Sequence, residues 1–196
     1  MKNEINRIAD RLVKAFNTNT VINPIPVKYC KNINLANKLR KLCEDQIKDE
    51  TIGIKAGGTG IQALKKLKEK EPFTAKVFKK RLVKSGQKVK INQHTKGIEV
   101  EVYYFIKKSF FDYKGKVTKS NVTKFIKFMG PCFEIVGFRQ RNKKFTYLGD
   151  ICGDFGFNIK FVVGRKTKFK KLNLNNLKTS LVSKKNGVKV SGNTNI

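Results

Sequence analysis

The stretch Ile98–Ile106, IEVEVYYFI, decides how the chain is read. Apolar and polar residues alternate with the period of two that a half-buried strand requires, so Val100, Val102 and Tyr104 share one side and Glu99 and Glu101 the other. Two carboxylates at i and i+2 stand about 6.6 Å apart along the strand. At an effective dielectric of ~20 they repel by about 2.5 kcal/mol, before any cost of removing them from water. Either basic side chains or a divalent cation must offset that repulsion.

The surroundings make the pair unusual. The chain has 196 residues, 44 Lys and Arg against 14 Asp and Glu, and a formal net charge of +30. A charge of that size first suggests nucleic acid or an anionic surface. However, 37 of the basic residues are lysine and only 7 are arginine, they are spread over the whole length, and 18 asparagines accompany them. Specific nucleic-acid readers depend on arginine for bidentate contacts. A lysine and asparagine excess is what an AT-rich coding sequence yields on any solvated surface, so compositional drift is favoured over a nucleic-acid partner, and a basic nucleic-acid-binding protein is kept as an alternative.

A composition of 39% hydrophobic residues supports one real core. No apolar run approaches the ~20 residues needed to span a bilayer, and the N-terminus mixes acids with its apolar residues, unlike a signal peptide. No membrane association is therefore expected, and the location read from the sequence is the cytoplasm. Cys30, Cys43, Cys132 and Cys152 form no C-x-x-C pair, which reads as small buried thiols and not as zinc ligands or disulfides.

Along the chain, Ile5, Ile8, Leu12, Val13 and Phe16 predict a helix over 4–16, and Leu35, Leu39, Leu42, Cys43 and Ile47 a second one after the linker VINPIPV. A short strand is expected at Thr51–Lys55, then a glycine turn, then a helix over 61–70 that stops at Glu71-Pro72-Phe73. Further strands are expected at 88–91, 98–106, 133–138 and 157–163, a helix at 119–128, and a hairpin, SLVSKKNGVKVSG, turning at Asn186-Gly187. Helices followed by strands give an α+β chain, with a helical region over 1–70 and a β region over 71–196 that together form one structural unit.

Most acids sit in evidently solvated company. Besides Glu99 and Glu101, the exception is Glu134, which interrupts the apolar run PCFEIVGF. If Glu99 and Glu101 lie on the open face of an edge strand, lysines suffice as partners, but Glu134 is then unexplained. Three carboxylates from two strands instead form the oxygen-only set that magnesium or manganese prefers. Two look-alikes fall away: GIKAGGTG lacks the G-K-[ST] ending of a phosphate-binding loop, and Asp154-Phe155-Gly156 has no other kinase motif beside it.

Taken in order, I-A-D-R-L at 8–12, I-G-I-K-A-G-G-T at 52–59, E-P-F at 71–73, I-E-V-E-V at 98–102, P-C-F-E-I-V-G-F-R at 131–139, G-D-F-G-F-N-I-K-F-V-V-G at 153–164 and the final hairpin form a collinear series. It resembles the 2-keto-4-pentenoate hydratase group of the fumarylacetoacetate hydrolase superfamily. The resemblance implies a mixed β-sheet roll after N-terminal helices, and Glu99, Glu101 and Glu134 as ligands of Mg2+ or Mn2+. It places Lys55 at the substrate, as an anchor or proton carrier, and aligns Asp154 with the family's aspartate before the last shared strand, as a substrate-binding residue or a turn cap. Relatives run on beyond the hairpin, so the resemblance further implies a roll that is incomplete at its C-terminus.

The activity implied is metal-dependent addition of water to a small 2-hydroxy-dienoate or 2-oxo acid such as 2-hydroxypenta-2,4-dienoate, a step of aromatic catabolism, in a homo-oligomer. Decarboxylation of an oxalocrotonate or hydrolysis of an acylpyruvate would use the same metal site. Phe73 and Phe157 replace polar residues of some relatives, which bears on the choice of substrate. A degenerate relative that binds metal without turnover is the alternative that the shortened end raises.

Overall fold

The computed structural model of the protein describes residues 3–91, 94–173, 177–182 and 187–193. The first helix, α1, covers Glu4–Thr18. The Asn3 side chain accepts from the Asn6 amide at its start, and Asn19, left-handed at φ 55°, ends it. Ile5, Ile8, Ala9, Leu12, Val13 and Phe16 form its buried stripe, as the spacing predicts. After the one-turn α2 (Lys28–Lys31), Asn32 caps α3 (Ile33–Gln46) by accepting from the amides of Asn34 and Leu35.

The strand β1 (Thr51–Gly57) is antiparallel to β2 (Phe73–Phe78), and α4 (Ile61–Leu67) lies between them in sequence. The remaining strands are β3 (Leu82–Lys84), β4 (Thr95–Ile106), β5 (Ile126–Gly137), β6 (Asn158–Val163), β7 (Thr167–Lys168), β8 (Lys178–Val182) and β9 (Lys189–Asn193). One sheet has the order β3-β6-β5-β4 with β7 paired to β5, and β8 and β9 form their own antiparallel pair. Of the expected hairpin turn, Gly187 is described, with φ 68°, and Asn186 lies outside the described residues. The short α5 is Leu148–Cys152.

Contacts divide the chain into two units, and the division falls within β4 and β5. The first comprises Met1–Glu99 with Glu134–Val162, and the second Val100–Phe133 with Val163–Ile196. In the first unit α1 and α3 close a core with Phe78 and Phe155, and a second cluster joins Ala36, Phe73, Ala75, Leu148 and Cys152. Gly149 lets α5 approach closely, since a Cβ there would overlap the Cys30 carbonyl oxygen. In the second unit, Phe110 and Tyr113 pack edge-on or tilted against Phe125.

Three local expectations need correction. Residues 88–91 form no strand. The segment 119–128 is not an α-helix: Val122–Phe125 make a single 3-10 turn and β5 begins at Ile126. Its Val, Thr, Phe and Ile favour strand, and the reciprocal Thr118 and Asn121 hydrogen bonds cap only the short turn that leads into β5. Finally, β4 does not alternate buried with exposed, because it ends its sheet, and Ile98, Val100, Tyr104 and Phe105 are exposed. All four cysteines are free and buried, as expected. No helix among the described residues is long and apolar enough to cross a membrane.

Candidate metal centre

Glu99 and Glu101 on β4 and Glu134 on β5 each bring one carboxylate oxygen to within 4.8 Å of the others. Among the described residues this is the one group of three or more potential metal-ligating side chains so arranged. Its members are unequal: Glu134 is 2% exposed, whereas Glu99 and Glu101 face solvent. Water therefore screens the Glu99–Glu101 repulsion more than a half-buried strand would allow.

Lys55 reaches the buried member. It stands on β1 opposite Ala75, and its Nζ donates to Glu134 Oε1 at 2.6 Å and to the Gly156 carbonyl at 2.8 Å. Both side chains are nearly dry, 10% and 3% exposed. The sequence brings Lys55 to the site only through its resemblance; its pairing with Glu134 has no signature in spacing.

The Gly156 carbonyl is aimed by an unusual turn. Phe155, Gly156 and Phe157 all have positive φ, at 54°, 67° and 71°. Two phenylalanines in that region carry strain of order 1–3 kcal/mol each and persist only when their surroundings hold them. Gly156 also has no room for a side chain, since a Cβ would lie 2.8 Å from that of Ala75.

Asp154 leads into the turn. It is fully buried and accepts from the Arg139 amide at 2.8 Å, from Arg139 Nη1 at 3.1 Å and from Gln140 Nε2 at 3.2 Å. Arg139 in turn donates to the Asn158 carbonyl and stacks near Phe16 and Phe155. Burial pulls the Arg139 pKa down, and Asp154 opposes it. Sequence reasoning missed Arg139 and Gln140 as partners of this group, although Arg139 closes the PCFEIVGFR stretch. Burial pushes the Cys30 thiol up to about 12 and that of Cys152 up to about 11, and raises Cys43 as well.

The donor set suits a hard divalent cation. Oxygens in an octahedral magnesium shell stand roughly 3 Å apart when adjacent and roughly 4 Å when opposed. The spread of up to 4.8 Å closes with small side-chain rotations, which exposed Glu99 and Glu101 can make. The three carboxylates and the Lys55 ammonium together carry a formal charge of −2, matched to such an ion.

No family model and no curated protein matches the chain. Solved structures do. A 4-oxalocrotonate decarboxylase from Pseudomonas putida G7, complexed with magnesium and adipate, superposes with a TM-score of 0.71 at 16% identity, over 97% of this chain and 73% of that one. The chain has the fold of 4-oxalocrotonate decarboxylase. The same enzyme complexed with calcium and acetate gives a TM-score of 0.73, with the same identity and coverage. The α+β expectation, helices followed by mixed sheets, is borne out by this fold.

Proposed function

We propose that the protein is a divalent-metal-dependent lyase of the fumarylacetoacetate hydrolase superfamily, acting on a small 2-hydroxy-dienoate or 2-oxo acid. The observation that carries this reading is the convergence of Glu99, Glu101 and Glu134, the three residues marked by charge in the sequence, on the fold of an enzyme solved with magnesium. Glu99, Glu101 and Glu134 would hold the ion, Mg2+ or Mn2+. When bound, it supplies positive charge at the 2-oxo oxygen, where negative charge develops as the substrate enolises.

The residues present account for the rest. Glu134 is held by Lys55 through Oε1, and its carboxylate lies beside those of the other two glutamates. Lys55 has three N–H donors, of which two are engaged, so the third is available to a substrate carboxylate. Its short bonds to Glu134 and Gly156 fix the ammonium, so that a bound acid meets a positioned donor. Asp154 acts behind this layer, keeping the 155–157 turn in the shape that aims the Gly156 carbonyl.

Water addition, as in 2-keto-4-pentenoate hydratases, is the first reaction to assay. The structural likeness to a decarboxylase favours a second reading, loss of carbon dioxide from an oxalocrotonate through the same enolate. Ultraviolet absorbance of 2-hydroxypenta-2,4-dienoate, followed with and without added Mg2+ or Mn2+, tests the first, and carbon dioxide release from 4-oxalocrotonate tests the second. Glu101→Ala is expected to abolish either. Calorimetry showing that the protein takes up neither ion would overturn the metal site and both reactions.

A further inference from the structure

Within the first unit, a cleft of about 520 Å³ opens beside the C-terminal end of α3, and its lining includes Phe16, Lys48, Asp49, Lys80, Arg81 and Lys160. Four of these six are cations. Among the described residues none of the four lies within ion-pair distance of a carboxylate. The one acid in the lining, Asp49, already accepts from the backbone amides of Glu50 at 3.0 Å and Lys80 at 2.9 Å.

Arg81 is the centre of the arrangement. Its guanidinium carbon lies 3.7 Å from the centre of the Phe16 ring, and Nη2 donates to the Phe16 carbonyl. Its Nε is buried and has no hydrogen-bond partner among the described residues. An orphaned guanidinium N–H is costly to bury and asks for an acceptor. Lys160 Nζ is held nearby by the Lys80 carbonyl at 2.8 Å. Burial lowers Arg81 to about 10, with Arg139 adding to the effect, and burial followed by Arg81 lowers Lys160. The Arg81 and Lys160 charges are therefore close enough to feel one another.

We propose that this cleft is an anion-binding site for the phosphate group of a small phosphorylated molecule. A phosphate dianion offers several acceptors at once, which suits an arginine N–H and two or three lysine ammoniums better than a single carboxylate does. The concave shape and volume fit a compact ligand and not an extended polymer.

Inorganic phosphate is the probe. Thermal unfolding of the metal-free protein is measured in phosphate and in chloride at matched ionic strength. Phosphate is expected to give a saturable rise in Tm that chloride does not. Lys160→Gln relieves crowding, so its Tm in chloride is expected to equal or exceed that of the parent while its phosphate affinity falls about 10-fold. Arg81→Lys keeps the charge but removes the Nε–H, and is expected to weaken phosphate binding comparably. Lys108→Gln, an exposed lysine of the second unit, is expected to leave the response unchanged.

Equal responses in all variants, or a phosphate effect no larger than that of chloride, would overturn the site. So would a single-stranded oligonucleotide that outcompetes phosphate and is weakened alike by the Lys108 and Lys160 changes, because the anion recognised would then be a polymer on a generally basic surface.

Discussion

Two buried ion pairs share the segment from Glu134 to Arg139, and they are built differently. The Asp154 carboxylate meets an amide, a guanidinium and a side-chain amide, all buried. The Glu134 carboxylate meets an ammonium, and two further carboxylates converge on it. The first arrangement gathers only donors beside the 155–157 turn, which suits an anchoring role. The second has like charges gathered where a cation is the natural complement. The company that a buried acid keeps, donors alone or other acids as well, thus separates the two, and burial alone does not.

The sharpest way to break this contrast is Asp154→Ala. It strands Arg139 in the core, and a loss of about 3–5 kcal/mol is expected in urea unfolding. A loss under ~1 kcal/mol would remove the distinction. Glu134→Gln comes next. Metal affinity by calorimetry is expected to fall about 100-fold, close to 2.7 kcal/mol of binding, with a smaller folding cost of about 1–3 kcal/mol from the altered Lys55 contact.

Lys55→Met separates the two roles of the open pair. Removing the ammonium beside Glu134 is expected to tighten Mn2+ binding roughly 10-fold, while turnover falls and the metal-free protein melts lower. Unchanged affinity would mean that Lys55 and the ion do not compete for the same carboxylate charge.

Asp150 is a further buried acid, ion-paired with Lys143. Burial pushes its carboxyl up, but the hydrogen bond from Lys143 and those from the Tyr147 and Thr146 amides outweigh it, and the net pKa lies below the ordinary value of 3.8. Its contribution is therefore complete above that value and lost as pH falls through the depressed one. Acid unfolding of Asp150→Asn is expected to show a shallower loss of stability below pH ~4 than the parent does. The smallest effect is expected for Glu99→Gln: stability within about 0.5 kcal/mol, because the side chain is exposed, with metal affinity reduced about 10-fold.

Much of this was legible in the sequence where one local rule dominates. The stripes of α1 and α3 follow from apolar spacing, whereas the boundaries at Asn19 and Asn32 emerge only from the backbone and side-chain geometry. The carboxylate trio was legible because acidic residues are scarce in this chain and Glu134 interrupts an apolar run. What remained hidden depends on tertiary placement. Nothing local to IEVEVYYFI says that β4 ends its sheet, so its face was expected to be half-buried and is not. The 119–128 segment was expected as a helix, but Val122, Phe125 and Ile126 obey strand preferences and aromatic packing. The Lys55 and Glu134 contact joins residues 79 positions apart, and only the fold reveals it.

The position of β4 at the end of its sheet has one more consequence. An end strand with exposed Ile98, Val100 and Phe105 is a template for unwanted strand addition, and charged side chains along it are a common safeguard. Glu99 and Glu101 sit among those apolar residues, so the same two carboxylates also guard this rim against recruiting a stray strand. An ion bound there would neutralise them and weaken that guard, which would tie strand-edge association to cation occupancy.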